Sequence, residues 1–457
     1  MTFDRISVFG LGKLGACMAA TMADRGAHVI GVDVSPTTVA TLNAGHAPVV
    51  EPGLAELVAA NRERLRATTD AREAVLGSDL SFIIVPTPSD SAGGFATHFV
   101  EQVARDIGRA LRDKAGYHLV VLTSTVLPGA TAHRVLPLLE AESGKACGPD
   151  FGLCYNPEFI ALGSVVRDLL NPDVVLIGQS DERAGALLEA WYAGYCDNAP
   201  PVERMSFVNA ELTKLAVNTY VTMKITFANT LAALCEELPG ADVDVVSAAI
   251  GRDSRIGRKY LTGGLGYGGP CFPRDNKALF ALAQTLGTPA GLARATDLAN
   301  DALLERQLER IHALLQPGMS VAVLGVAYKP DTTVVEESQG LALARALAER
   351  GVAVTVHDAL ALDAARAALG DAVRYEPSLA ACLQAADLVV LATPTAELRA
   401  LEAADFPARE RPVIVVDCWR LLATKLAGDA RVEYVPLGVG QPLPAPAGAP
   451  VVAGSGR

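Results

Sequence analysis

The stretch with the most chemical character is Gly263-Gly264-Leu265-Gly266-Tyr267-Gly268-Gly269-Pro270-Cys271-Phe272-Pro273-Arg274-Asp275. Five glycines in seven residues hold neither a helix nor a strand, and such a loop lets backbone approach a ligand closely. Cys271 stands at its end, four residues before Asp275 and next to a helix expected to start at Asn276-Lys277. A thiol near a helix N-terminus has a lowered pKa, which favours the nucleophilic thiolate. Read alone, one cysteine is as readily a core filler. Lys214 and Asn218 are four apart in Glu211-Leu212-Thr213-Lys214-Leu215-Ala216-Val217-Asn218, a helical pattern, so they share a face. Such a pair can hold a hydroxyl, act as a base if desolvated, or stabilise an oxyanion. Read alone, Lys214 is as readily a solvated lysine on an outer face. Glu158, in Asn156-Pro157-Glu158-Phe159, follows a proline turn and is either a site carboxylate or a cap.

A second signal sits at the N-terminus. Gly10-Leu11-Gly12-Lys13-Leu14-Gly15 follows the strand-like Ile6-Ser7-Val8-Phe9 and opens a helix expected from Ala16 to about Arg25. The first glycine permits the tight turn, the second a close approach of backbone to pyrophosphate, and the third close helix–strand packing. The helix N-terminus offers free N–H groups to phosphate. Asp33 ends the next strand, His28 to Val32, where a carboxylate accepts from a ribose 2′-hydroxyl and repels a 2′-phosphate. The expected cofactor is therefore NAD rather than NADP.

The elements that position these residues follow a repeated plan. Strand-like runs recur at Leu80 to Val85, Leu119 to Leu122 and Val174 to Ile177. Strand signals then stop from about Ser206 to Ser320, and helical periodicity covers Asn209 to Leu238 and Lys277 to Leu315. After that the first pattern returns: Arg350-Gly351-Val352-Ala353-Val354-Thr355-Val356-His357-Asp358 echoes Arg25 to Asp33, and Ala386 to Val390 echoes Ser78 to Phe82. The fold expected is α/β, two Rossmann-like doubly wound domains joined by a central helical domain, with boundaries at 1–205, 206–315 and 316–440. The Pro/Ala/Gly-rich tail, 441–457, is expected to be disordered. The second half lacks the glycine motif, since Val-Ala-Tyr-Lys-Pro follows Gly325.

Composition removes several alternatives. The chain of 457 residues is 50% hydrophobic with a formal charge of −12 and no basic cluster, a poor match to nucleic acid or anionic lipid. No apolar run reaches the ~18 residues of a membrane span. The eight cysteines include no CxxC and the seven histidines no HExxH, so no metal site is expected and a reduced, cytoplasmic protein is.

Taken together, Gly10 to Gly15, Glu51-Pro52-Gly53-Leu54, Thr87-Pro88, Ser124-Thr125-Val126, Asn156 to Phe159, Lys214 to Asn218, the Cys271 loop and Tyr328-Lys329-Pro330-Asp331 resemble the UDP-glucose/GDP-mannose dehydrogenase family. The resemblance spans residues 4 to 425. It implies four-electron oxidation of a sugar 6-hydroxyl to a carboxylate with two NAD per turnover, and a homodimer formed through the central helices. It assigns Cys271 as nucleophile, Lys214 and Asn218 to the 6-oxygen, Asp275 to proton transfer, and Thr125 and Glu158 to positioning water and substrate. It implies Phe159, Tyr260, Leu261, Thr262, Gly263, Gly264, Gly268, Lys329 and Arg420 as nucleotide-sugar contacts, with Arg255 reaching in from a partner subunit. Thr87, Thr125 and Arg274 join the glycine motif and Asp33 as cofactor contacts. Pro270 before the cysteine and Phe272 to Asp275 after it differ from the UDP-N-acetylhexosamine members, Asn156 to Phe159 resembles the UDP-glucose and GDP-mannose branches, and Arg255-Ile256-Gly257 to Tyr260-Leu261 is more similar to UDP-glucose members, so UDP-glucose is the expected sugar. GDP-mannose or a UDP-N-acetylhexosamine remains the alternative sugar, and a two-electron β-hydroxyacid dehydrogenase or a silent nucleotide-binding scaffold the remoter readings. Four positions depart from the family: Thr38, Leu162, Glu336, and Asp417-Cys418-Trp419-Arg420, whose arginine falls one place later than the usual Asp-x-Arg.

Overall fold

Continuous β-branched runs become strands buried on both faces, as parallel sheets require. In the computed structural model, which describes residues 3–440, Arg5–Phe9 (β1), His28–Val32 (β2), Leu65–Thr68 (β3), Leu80–Ile83 (β4), His118–Leu122 (β5), Phe151–Tyr155 (β6), Val175–Gln179 (β7) and Val202–Met205 (β8) form one sheet. Its order is β3-β2-β1-β4-β5-β6-β7-β8, with all pairs parallel except β6 and β7. Ser320–Leu324 (β9), Ala353–His357 (β10), Arg374–Tyr375 (β11), Leu388–Leu391 (β12), Val413–Asp417 (β13) and Val432–Pro436 (β14) form the second, wholly parallel sheet, in the order β11-β10-β9-β12-β13-β14. The first six strands of one sheet and the six of the other share a single topology. In each, the order reverses beside the first strand, between β1 and β4 and between β9 and β12, where doubly wound sheets take ligands at the carboxyl ends of their strands.

Along the chain, the helices Phe207–Glu237, Val243–Gly251, Phe272–Thr285 and Gly291–Leu314 come after β8 and before β9. The Phe272–Thr285 helix begins earlier than the expected Asn276. The physical reason is Pro273, which needs no N–H in a first helical turn and arrives with its φ already set. Phe272 to Asp275 is thus the helix's first turn rather than loop. Val243–Gly251 was not expected, being too short for a full periodic signal; Asp242 caps it by accepting from the Asp244 N–H.

The chain divides into two units, Met1–Tyr220 with Arg274–Arg294, and Val221–Pro273 with Ala295–Arg457. In the N-terminal unit, apolar layers cover both sheet faces: Ile6, Val8, Phe82 and Trp191 on one, Phe9, Ile83, Val120 and Leu153 on the other. The C-terminal unit repeats this with Val321, Val323 and Val390 against Ala322, Val389 and Val415. Among the described residues no helix is long and apolar enough to cross a membrane, and no cluster of three His, Cys, Asp or Glu side chains is placed to hold a metal ion. The tail 441–457 lies outside the described residues.

Candidate active site

The glycine turn after β1 has the form a dinucleotide needs. Gly10 has φ +97°, and a Cβ there would lie 2.3 Å from the Ile84 carbonyl oxygen. A Cβ on Gly15 would lie 1.8 Å from the Gly10 carbonyl oxygen, so the helix can approach the strand only without a side chain at that position. Gly12 is the contrast: a Cβ there meets nothing within 4 Å. It caps the Lys13–Asp24 helix with no side-chain hydrogen bond, leaving the first-turn N–H groups for a ligand. Asp33 accepts from the Leu11 N–H at 2.9 Å through one oxygen and from the Ser35 N–H at 2.9 Å through the other. Each oxygen keeps a lone pair for a ribose hydroxyl. Open space above Gly12, uncapped amides and a fixed carboxylate fit NAD.

The remaining N-terminal candidates form three groups. Thr87 Oγ1 donates to the Thr125 carbonyl at 2.7 Å, and Arg274 Nη1 reaches the Thr87 carbonyl at 3.4 Å while its guanidinium lies 4.9 Å from the Phe95 ring centre. Lys214 is 6% exposed; its Nζ donates to the Glu158 carbonyl at 2.5 Å and sits 4.7 Å from the Phe159 ring centre. Its amine is therefore buried against protein rather than solvated. Asn218 Nδ2 donates to Asp275 Oδ2 at 2.6 Å. Asp275 is fully buried, and its Oδ1 has no hydrogen-bond partner among the described residues, although Arg274 Nε lies 3.5 Å away. A buried carboxylate oxygen of this kind is costly unless something completes it. The Glu158 carboxylate accepts from the Ile160 N–H at 2.8 Å, so it organises its own turn.

The C-terminal unit holds Arg255, Tyr260, Leu261, Thr262, Gly263, Gly264, Gly268, Cys271, Lys329 and Arg420. Cys271 is the exposed cysteine. Burial raises the thiol pKa at the other seven, Cys17, Cys147, Cys154, Cys196, Cys235, Cys382 and Cys418, to about 12 in Cys17 and Cys382. Arg255 is exposed and pairs with Asp253 in its own chain. Tyr260 adopts φ +66°, a left-handed conformation uncommon in residues other than glycine. A Cβ on Gly268 would lie 2.0 Å from the Glu337 carbonyl oxygen. Arg420 is turned inward, its side chain 4% exposed: Nε and Nη2 grip Asp244, Nη1 donates to the Leu437 carbonyl, and Nη2 also reaches the carbonyls of Thr262 and Gly263. These bonds hold the Thr262 and Gly263 backbone in place, and Nη1 keeps one N–H beyond that given to Leu437.

Sequence reasoning missed several residues that these structures use. Glu211, fully buried, accepts from the Gly129 N–H, the Thr131 N–H and Thr131 Oγ1 at 2.6–2.8 Å, tying the Lys214 helix to the segment that follows Thr125. Its place three residues before Lys214, on the same helix face, was the available signal. The second sheet carries a hidden counterpart of the glycine turn. A Cβ on Gly340 would lie 2.3 Å from the Gly325 carbonyl oxygen, as Gly15 does to Gly10, and Asp358 accepts from the Val326 and Ala327 N–H groups much as Asp33 accepts from Leu11.

Three domain descriptions of one family match the chain: the UDP-glucose/GDP-mannose dehydrogenase family NAD binding domain over residues 4–195, its central domain over 208–302, and its UDP binding domain over 322–424. The chain is 38% identical over 424 residues to UDP-glucose 6-dehydrogenase AglM of Haloferax volcanii, covering 92% of this chain and 97% of that one. It is 35% identical over 441 residues to GDP-mannose 6-dehydrogenase of Azotobacter vinelandii, covering 93% and 99%. A UDP-glucose dehydrogenase structure from Pyrobaculum islandicum superposes with a TM-score of 0.86 at 36% identity, covering 95% of this chain and 98% of that one. With the NAD-shaped turn, the duplicated sheet and matches to all three domains, the chain belongs to the UDP-glucose/GDP-mannose dehydrogenase family and is an NAD-dependent nucleotide-sugar 6-dehydrogenase.

Proposed function

We propose that the protein oxidises UDP-glucose to UDP-glucuronate through a covalent adduct on Cys271. The observation that carries this reading is the buried group on one helix face and its neighbour: Lys214, Asn218 and the incompletely bonded Asp275. Lys214 Nζ has two protons beyond the one given to Glu158, and Asn218 Nδ2 one beyond that given to Asp275, so both can donate to a 6-oxygen as negative charge develops on it. Asp275 Oδ1 takes the proton released from the hydroxyl or from water. NAD, when bound, supplies the hydride acceptor, two equivalents for each sugar. Cys271 Sγ bonds to carbon 6 of the aldehyde left by the first oxidation and retains it until the second. Water then breaks the carbon–sulfur bond, leaving a carboxylate and regenerating the thiol. Thr125 and Glu158 position that water and the substrate. Arg274 and Thr87 border the cofactor, and Phe159, Tyr260 to Gly264, Gly268 and Lys329 border the nucleotide sugar.

UDP-glucose is favoured by the relative and the superposed structure that bear its name at 38% and 36% identity. GDP-mannose is the second reading, because several relatives at 35–37% identity carry that name. Residues 1–205 are assigned to NAD, 316–440 to the nucleotide, and 206–315 to pairing of two copies. Exposed Val208, Leu212, Tyr220, Phe227 and Leu234 along the Phe207–Glu237 helix support that pairing. A panel of UDP-glucose, UDP-galactose, GDP-mannose and UDP-N-acetylhexosamines, followed by NADH absorbance, tests the assignment. UDP-glucose is expected to give the highest kcat/KM, and preference for another sugar overturns it.

A further inference from the structure

Two adjacent residues after β13 grip the glycine-rich segment. The Trp419 indole lies against Gly264, where a Cβ would stand 2.6 Å from Cζ3 and 2.7 Å from Cε3. The ring is fixed from behind: Nε1–H donates to the Ala392 carbonyl at 2.8 Å, just past β12, and the Trp419 backbone N–H donates to Asp417 Oδ1 at 3.1 Å. Arg420 adopts φ +57° and holds the Thr262 and Gly263 carbonyls at 3.0 and 2.9 Å. Asn229 completes the grip, accepting from the Gly264 N–H at 2.8 Å and donating to the Leu265 carbonyl at 3.3 Å. Gly264 is thus held between a hydrogen-bonding amide and an aromatic wall.

We propose that Trp419 is a specificity-determining positioning residue, whose ring sets where the Gly264 backbone lies and hence how much room the nucleotide sugar has. This rests on the reading of Tyr260 to Gly268 as the segment lining that ligand. The two anchors of Trp419, Ala392 for its ring and Asp417 for its backbone, lie at the carboxyl ends of β12 and β13, the edge at which doubly wound sheets bind ligands. The one-place shift of the arginine in Asp417-Cys418-Trp419-Arg420 acquires a structural meaning: the guanidinium turns inward to hold the loop, and an indole occupies the preceding position.

The test is a double-mutant cycle on steady-state constants, using whichever of UDP-glucose and GDP-mannose the wild type oxidises. Trp419→Ala should raise the nucleotide-sugar KM about tenfold while the NAD KM changes less than about twofold. Gly264→Ala should also raise the nucleotide-sugar KM, because its methyl group enters the ring's space. Adding Trp419→Ala to Gly264→Ala should restore at least about threefold of that loss, since the methyl then has room. A nucleotide-sugar KM within about twofold of wild type in Trp419→Ala, equal rises in both KM values, or purely additive losses in the double variant would overturn the proposal. Trp419→Phe supplies a second readout if the alanine variants do not fold. The chain has two tryptophans, and Trp191 is fully buried in the N-terminal core. The nucleoside diphosphate of the oxidised sugar, UDP or GDP, should change tryptophan emission in the wild type and not in Trp419→Phe, and equal emission responses in the two proteins overturn the proposal. A wild type that oxidises no nucleotide sugar would overturn the functional reading as well, whereas an active wild type indifferent to these substitutions sinks the Trp419 proposal alone.

Discussion

Gly12→Ala and Gly15→Ala separate the cofactor from the fold. At Gly15 the new Cβ would sit 1.8 Å from a backbone oxygen, and ordinary contact begins at 3.4 Å. Strand and helix must therefore part by about 1.6 Å in an interior packed at crystal density. Overpacking of this kind costs roughly 1–3 kcal/mol, and the offending atom is backbone, so the upper end applies; alanine's helix propensity returns about 1 kcal/mol. The net loss is about 2 kcal/mol, or about 5 °C in Tm for a unit of this size. At Gly12 the backbone, φ −69° and ψ −168°, suits any residue and the Cβ meets nothing. Stability should stay within about 1 kcal/mol, the usual scale of a cap substitution. The methyl group would instead stand where pyrophosphate approaches the backbone, so the NAD Kd should rise at least about tenfold, or ~1.4 kcal/mol. Thermal unfolding without ligand and NADH fluorescence titration read the two effects independently. Wild-type NAD affinity in Gly12→Ala, or a melting temperature as low as that of Gly15→Ala, would refute the reasoning.

Cys271→Ser should abolish uronate formation, by about a thousandfold or more, while UDP-glucose affinity stays within about threefold; sustained uronate production would exclude the covalent role. Asp33→Ser should reduce the preference for NAD over NADP in kcat/KM, and an unchanged ratio would exclude the ribose contact. His118 is buried with Nε2 2.8 Å from Ser81 Oγ, and burial, aided by Lys114, pushes its pKa down from 6.5 to about 3. The unfolded state therefore binds a proton that the native state refuses, so this contribution is present above pH 6.5 and is lost as pH falls toward 3. Denaturant titrations of His118→Gln between those values should show a shallower acid dependence, by up to ~1.4 kcal/mol per pH unit; parallel curves would contradict the buried neutral imidazole.

The features legible in the sequence were those encoded locally. The glycine motif with Asp33 declared one nucleotide turn, and the echo of Arg25 to Asp33 in Arg350 to Asp358 declared the duplicated sheet, whose two strand orders match. The apolar runs Leu80 to Val85 and Leu119 to Leu122 contained β4 and most of β5. Strands β3, β6, β8, β11, β13 and β14 were missed: Leu65–Thr68, Val202–Met205 and Arg374–Tyr375 are short and polar-interrupted, Phe151–Tyr155 lies among turn residues and Val432–Pro436 is broken by a glutamate, whereas Val413–Asp417 is an apolar run that pattern alone could have marked. The second glycine turn was hidden by the chain inserted between Gly325 and Gly340, which removes the fixed spacing that makes the first one readable. Glu211, Asn229 and the Trp419–Gly264 contact depend on partners tens to more than a hundred residues away, and periodicity carries no information about such pairings. Arg420 is a further case: the family resemblance implied a ligand contact, and its hydrogen bonds to the Thr262 and Gly263 carbonyls, more than 150 residues away, were not readable from the sequence.

The central claim is that the enzyme completes two oxidations at the same carbon before releasing it. Counting NADH formed per nucleotide sugar consumed, with the sugar limiting and NAD in excess, tests this most directly. The account predicts two NADH and an acid product; one NADH with a released aldehyde would contradict it.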